Sequence, residues 1–155
     1  MNVLFLDIDG VMNTTKTHIL LGNSSSLQER PELYFDPLAL SFIKAISNKG
    51  VKIVLSSTWR IGKVIPDIQK KFSFELFSKT DWIVDGCRGD EIKRWVVNNP
   101  EVKNYVIVDD DKDMLPEQLD NFVHICKHEG ITYKDMTKIC SILGFSFFDL
   151  KVKND

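Results

Sequence analysis

The sequence has no long hydrophobic run. No stretch approaches the ~20 apolar residues that a membrane helix needs, so no membrane-spanning segment is expected. An excess of one charge is also lacking: 20 Lys and Arg stand against 22 Asp and Glu, a formal net charge of −2. That balance excludes whole-surface attraction to nucleic acid or to a membrane, though not a local basic patch. Cysteine is scarce and odd in number. Cys87, Cys126 and Cys140 have no metal-ligand spacing, which predicts buried or free thiols in a reducing, cytoplasmic compartment. No basic lead-in precedes the N-terminal apolar run, so no signal peptide is expected. Internal repeats and low-complexity tracts are lacking too, and nothing in the sequence sets an oligomeric state.

What is present suits an ordinary globular chain. With 155 residues and 43% apolar content, it is long enough for a single domain, 1–155, with a sizeable core. Asn2 to Leu6, Val51 to Leu55 and Tyr105 to Val108 are short apolar runs that read as strands, with Phe122 to Ile125 and a short Trp82 to Val84 as further candidates. Between them lie helical segments. Asp36 can cap a helix opened by Pro37, with Leu38, Phe42, Ile43 and Ile46 on one face and Gly50 as its stop. Ile61 to Phe72, Gly89 to Asn98 and Thr132 to Leu143 read as further helices. Residues 14–35 form a polar excursion with a serine cluster at 24–26, read as a flap that can form a hairpin. Strands that are apolar throughout and alternate with helices predict an α/β fold: a three-layer, Rossmann-like parallel sheet.

Ligands of such sheets sit beyond the carboxyl ends of the strands. Three strands end there in polar clusters: "DID", "SSTWR" and "DDDKD". Asp7 and Asp9 straddle Ile8 and can face one cavity, where their repulsion must be offset. A divalent cation does this, and Mg²⁺ favours carboxylates together with phosphate oxygens and water. Asp109 and Asp110 can complete the metal ligands. Arg60 and Arg88 can hold phosphate, as can the hydroxyl of Ser56 or Ser57.

"LDIDGV", "IVLSS" and "VIVDDD", in that order and each at a strand end, resemble the first, second and fourth motifs of the haloacid dehalogenase-like (HAD) superfamily. "SSTWR", "RGDEI" and "VIVDDDKDM" further resemble a compact group similar to the phosphatase modules of nucleic-acid repair proteins. The resemblance implies that Asp7 attacks phosphorus to form an aspartyl-phosphate, and that Asp9 protonates the leaving oxygen and then activates water. It also implies that Asp7, the backbone carbonyl of Asp9 and one of Asp109 and Asp110 hold Mg²⁺. Asp109 with Asp113 fits an alternative spacing of the same motif. For the second motif Ser57 is preferred, with Ser56 next. The family's third motif is a lysine, and none stands at the expected place; Arg88 is the substitute, with Lys93 behind it.

Blander readings compete. Asp-x-Asp-Gly also makes turns for backbone reasons alone. "DDDKDMLPEQLD" has acids at calcium-loop positions, but Met114 stands where the loop needs glycine. Trp59 either stacks on a base or packs at the strand edge. Asp111 and Lys112 read as solvated, and His124 and His128 as structural, while His18 is a candidate substrate contact. The resulting expectation is a Mg²⁺-dependent phosphomonoesterase of HAD type with no large cap domain. Its minimally capped site would admit a phosphorylated nucleotide or nucleic-acid end. The rival readings are a catalytically silent HAD-like binding module and a phosphotransferase to an acceptor other than water.

Overall fold

The computed structural model describes residues 1–21 and 31–150. Five strands, β1 (Asn2–Leu6), β2 (Lys52–Leu55), β3 (Leu76–Lys79), β4 (Asn104–Asp109) and β5 (Phe122–His124), form one sheet in the order β3-β2-β1-β4-β5. Every pairing is parallel. Alternation along the strands splits the core in two. Leu4 and Leu6 of β1, Ile53 and Leu55 of β2, and Val106 and Val108 of β4 face one layer. That layer is closed by α2 (Pro37–Asn48) through Phe42, Ile43 and Ile46, and by α5 (Tyr133–Ile142) through Met136 and Ile139. Val3, Phe5, Val54 and Ile107 face the other layer, where Ile92 and Trp95 of α4 (Arg88–Val97) cover them. Helices on both faces of a parallel sheet make the three-layer fold that fully apolar strands predict.

The helix ends follow local chemistry. Asp36 accepts from the N–H groups of Leu38 and Ala39, and Pro37 opens α2 as expected. Four local expectations need correction. Leu38 is exposed, because it lies in the first turn of α2, off the core-facing stripe. The helix expected at 61–72 is only α3 (Ile65–Gln69); Thr58–Arg60 forms a 3₁₀ turn and Gly62 takes a left-handed φ of 68°. The expected strand at 82–84 is loop, and β3 lies earlier. Lys79 already pairs with Leu55, the last residue of β2, so the chain has then run past the sheet's carboxyl edge and finds no partner strand.

In the excursion, Thr15–Leu21 is a helix (α1) instead of a hairpin arm. Thr14 and Thr17 explain it: each backbone N–H donates to the other's hydroxyl, a reciprocal cap. The serine cluster at 24–26 lies outside the described residues. Among the described residues no large cap is present, and no helix is long and apolar enough to cross a membrane. All three cysteines are free; Cys140 is buried, which pushes its thiol up to about 11.

Candidate active site

Sheet register brings the three polar strand ends together. Leu6 pairs with both Leu55 and Val108. The next residues, Asp7, Ser56 and Asp109, therefore emerge side by side. Strand order reverses between β2-β1 and β1-β4, so Asp7 and Asp109 flank the switch point where open α/β sheets bind ligands.

Arg88 enters this point from the start of α4. One guanidinium nitrogen donates to Asp7 Oδ1 at 2.8 Å and to the Ser56 carbonyl at 2.8 Å, and lies 3.2 Å from Asp109 Oδ2. Burial alone would lower the Arg88 pKa, but Asp109 and Asp7 outweigh it and the net shift is upward. The helix start is pinned from behind. The Arg88 N–H donates to Asp113 Oδ2, the Gly89 N–H donates to the Asp113 carbonyl, and Gln118 donates to the Gly89 carbonyl. A Cβ on Gly89 would come within 2.6 Å of the Leu115 nitrogen, so only glycine permits this approach. Arg88 thus reaches the nucleophile candidate. Lys93 does not: it pairs with Glu117 on the surface. Asp113 Oδ2 accepts at the helix start, and Asp113 is not among the clustered carboxylates, so the geometry favours Asp110 over Asp113 beside Asp109.

Asp7, Asp109 and Asp110 each offer an oxygen within 4.8 Å of the others. Their protonation reflects crowding. Burial pushes Asp109 up to about 8, the Asp7 charge adds to this, and Arg88 opposes it. Burial also raises Asp7, against Arg88 and a hydrogen bond from Ser57, and it raises Asp110 together with the Asp111 charge. Asp109 Oδ2 is buried without a hydrogen-bond partner of good geometry. Opposed oxygens in a Mg²⁺ octahedron are about 4.2 Å apart. The spacing, the all-oxygen donor set and the orphaned buried oxygen fit that ion. The Asp9 side chain is not in this cluster.

Asp9 is held elsewhere. Its Oδ1 accepts from the Asn13 amide and its Oδ2 from the Trp59 indole N–H, both at 2.7 Å. Gly10 makes the turn between these anchors with φ of 79°. A Cβ there would collide with the Asp110 carboxylate, so the glycine is also what lets Asp110 lie against the loop. The Trp59 ring is half-buried and tilted against Phe35 and Phe72, at centroid distances of 6.4 and 6.5 Å. It packs and orients Asp9; it does not line the cleft as a free stacking platform. Ser57 and Ser56 are both fully buried. Ser57 bonds to Asp7, while Ser56 contributes its carbonyl and leaves its hydroxyl unpartnered.

Arg60 requires the clearest correction. Instead of meeting phosphate at the mouth, it is 3% exposed. It ion-pairs with Glu91 and donates to the carbonyls of Thr80 (2.9 Å), Ser56 (2.5 Å) and Ser57 (2.7 Å). Glu91 in turn accepts from the Ile83 N–H. The 3₁₀ turn folds Arg60 back under the second-motif loop, which no strand-end reading could foresee. Arg60 is a buried strut, not a phosphate ligand.

A cleft of about 400 Å³ opens over Asp7, Asp9, Arg88 and Asp110. The rest of its lining is Asn13, Thr14, Thr15, Thr58, His18, Asp111 and Lys127, with Gly10 at the turn. Sequence reasoning found His18 but missed Asn13 and Lys127. Asn13 follows Asp9 by four residues, a spacing that carries no signal until the Gly10 turn closes. His124 Nε2 bonds the Asp110 carbonyl at 2.9 Å.

A family model described as the HAD domain in Swiss Army Knife RNA repair proteins matches residues 3–136. No curated protein and no solved structure matches.

Proposed function

Because the chain belongs to the family of HAD domains found in Swiss Army Knife RNA repair proteins, we propose that it is a Mg²⁺-dependent phosphomonoesterase acting on nucleotide or nucleic-acid-end phosphates. The observation that carries this reading is the junction of Asp7 with Arg88 and two further carboxylates at the switch point of the sheet. Asp7 Oδ attacks phosphorus, the bond to the alcohol oxygen breaks, and Asp7 becomes an aspartyl-phosphate. Asp9, fixed by Asn13 and Trp59, delivers the proton to the departing oxygen. It then takes a proton from the water that attacks the acyl phosphate, which frees phosphate and restores Asp7. Arg88 favours the ionised form of Asp7 against its burial, aims it, and offers a cation to the phosphoryl oxygens. Asp7, Asp109 and Asp110 would hold Mg²⁺, which when bound screens the phosphate dianion from the carboxylates.

Hydrolysis of p-nitrophenyl phosphate tests this reading. Turnover should require Mg²⁺, vanish on chelation, and fall by several orders of magnitude in Asp7→Asn. Chelator-resistant turnover, or normal turnover by a pure Asp7→Asn protein, would refute it. A folded wild-type protein with no turnover on any phosphomonoester would identify a silent binding module instead. Transfer of the phosphoryl group to an added alcohol in preference to water would identify a phosphotransferase.

A further inference from the structure

The cleft is also lined by groups that the reaction centre does not use. Lys127 stands on the loop after β5, and its charge acts on Asp110, yet it makes no ion pair among the described residues. Its loop is fixed to the start of α1. The Thr15 N–H donates to the Lys127 carbonyl at 3.1 Å, the Lys16 N–H to the His128 carbonyl at 3.3 Å, and the Thr15 hydroxyl meets His128 Nδ1 at 3.0 Å. Gly130 turns the loop with φ of 79°, and a Cβ there would strike Thr14 at 2.8 Å. Two segments more than a hundred residues apart thus bring Lys127, Thr15 and His18 to one cleft. The His18 Nδ1 has no hydrogen-bond partner among the described residues.

A cation that makes no ion pair among the described residues and lines the same cleft as Arg88 suits a second anion. A volume of about 400 Å³ lies within the roughly 300–1,000 Å³ of small-molecule sites, more than a phosphoryl group alone would occupy. We infer that Lys127, with Thr15 and His18 beside it, forms a second anion subsite that takes the phosphate neighbouring the reacting one. This rests on the phosphatase reading above and narrows its substrate to a phosphomonoester that carries a second phosphate. The phosphodiester of a nucleic-acid end and the second phosphate of a nucleoside bisphosphate share that chemistry.

The test compares wild type, Lys127→Gln and Lys127→Arg on four substrates. These are p-nitrophenyl phosphate, a dinucleotide with a terminal monophosphate, the same dinucleotide with a neutral methylphosphonate link, and a nucleoside 3′,5′-bisphosphate. Wild type should prefer the charged dinucleotide to its neutral analogue by about ten- to hundredfold in kcat/KM, the worth of one charge-assisted contact. Lys127→Gln should abolish that preference, chiefly through KM, and Lys127→Arg should restore most of it. A comparable preference for the bisphosphate over p-nitrophenyl phosphate would name the free nucleotide as a source; its absence would name the nucleic-acid end. Equal turnover of the charged and neutral dinucleotides by wild type overturns the subsite, as does an equal loss on all substrates in Lys127→Gln.

Failure of the phosphatase reading is separable. If wild type hydrolyses none of the four, direct binding of the charged dinucleotide to Asp7→Asn protein still reads the subsite. Lys127→Gln should then weaken binding and lower the slope of log K against log salt by about 0.7. An unchanged affinity and slope overturns the inference by this route as well.

Discussion

Asp109 gives the most quantitative handle on the site. Its carboxyl is fully buried beside Asp7, and its pKa rises from 3.8 to about 8. A group whose folded value exceeds its unfolded value favours folding fully below the unfolded value. That contribution is lost as pH rises toward the folded value. In metal-free protein the window therefore runs from about pH 4 to pH 8. Each pH unit within it costs about 1.4 kcal/mol, so the step from pH 5 to pH 8 costs about 4 kcal/mol. For a domain of this size that corresponds to about 10 °C in Tm. Thermal denaturation of chelator-treated protein at pH 5, 6, 7 and 8 should show this decline. Asp109→Asn has no such proton to lose and should flatten most of it, with a higher Tm than wild type at pH 8. Mg²⁺ binds the ionised form and should restore the wild-type Tm at pH 8 far more than at pH 5, while leaving Asp109→Asn nearly unmoved. A metal-free Tm that does not change between pH 5 and pH 8, or an Asp109→Asn protein with the wild-type slope, would refute the buried-carboxylate account.

Three further substitutions separate the roles assigned above. Arg60→Met leaves Glu91 buried without its cation and should cost about 3–5 kcal/mol in urea denaturation, whereas Arg60→Met with Glu91→Met should recover much of this; a single variant as stable as wild type would contradict the strut. Trp59→Phe keeps an aromatic ring for packing but loses the N–H to Asp9, so turnover of p-nitrophenyl phosphate should drop about ten- to hundredfold with little change in Tm; full activity would show that Asp9 needs no such anchor. Gly10→Ala puts a side chain at a left-handed φ, which costs about 1–2 kcal/mol. It also displaces Asp110, so the Mg²⁺ concentration needed for half-maximal activity should rise severalfold; an unchanged Mg²⁺ dependence would remove Asp110 from the ligand set.

Much of the architecture was legible in the sequence because burial on both faces leaves a local mark. β1, β2 and β4 are runs with no polar interruption, and a parallel sheet is what encloses such runs. The same logic placed Asp7, Ser56 and Asp109 at one edge, since each directly follows its run. Asp36 and Pro37 announced α2 through backbone chemistry that needs no distant partner. Arg88 was also within reach, as a cation near the start of a helix in a chain lacking the expected lysine.

What the sequence left open depends on contacts between residues far apart along the chain. The partition of the arginines is one case. Arg60 and Arg88 look alike in sequence, but the 3₁₀ turn after β2 sends one guanidinium inward to Glu91, while Gly89 and Asp113 hold the other over Asp7. Trp59 is another, since its indole N–H meets Asp9 only once β1 and β2 lie side by side. Asp109, Asp110 and Asp113 were indistinguishable in a run of acids; the fold gathers Asp109 and Asp110 beside Asp7 and sets Asp113 against the α4 backbone. Lys127 carried no local signal at all, because its place in the cleft exists only after the β5 loop has docked on the start of α1. Periodicity and capping act through neighbours along the chain and so determined the layers and the sheet edge. The identity of each charge's partner is a long-range pairing set by low-dielectric burial, and only the packed structure decided it.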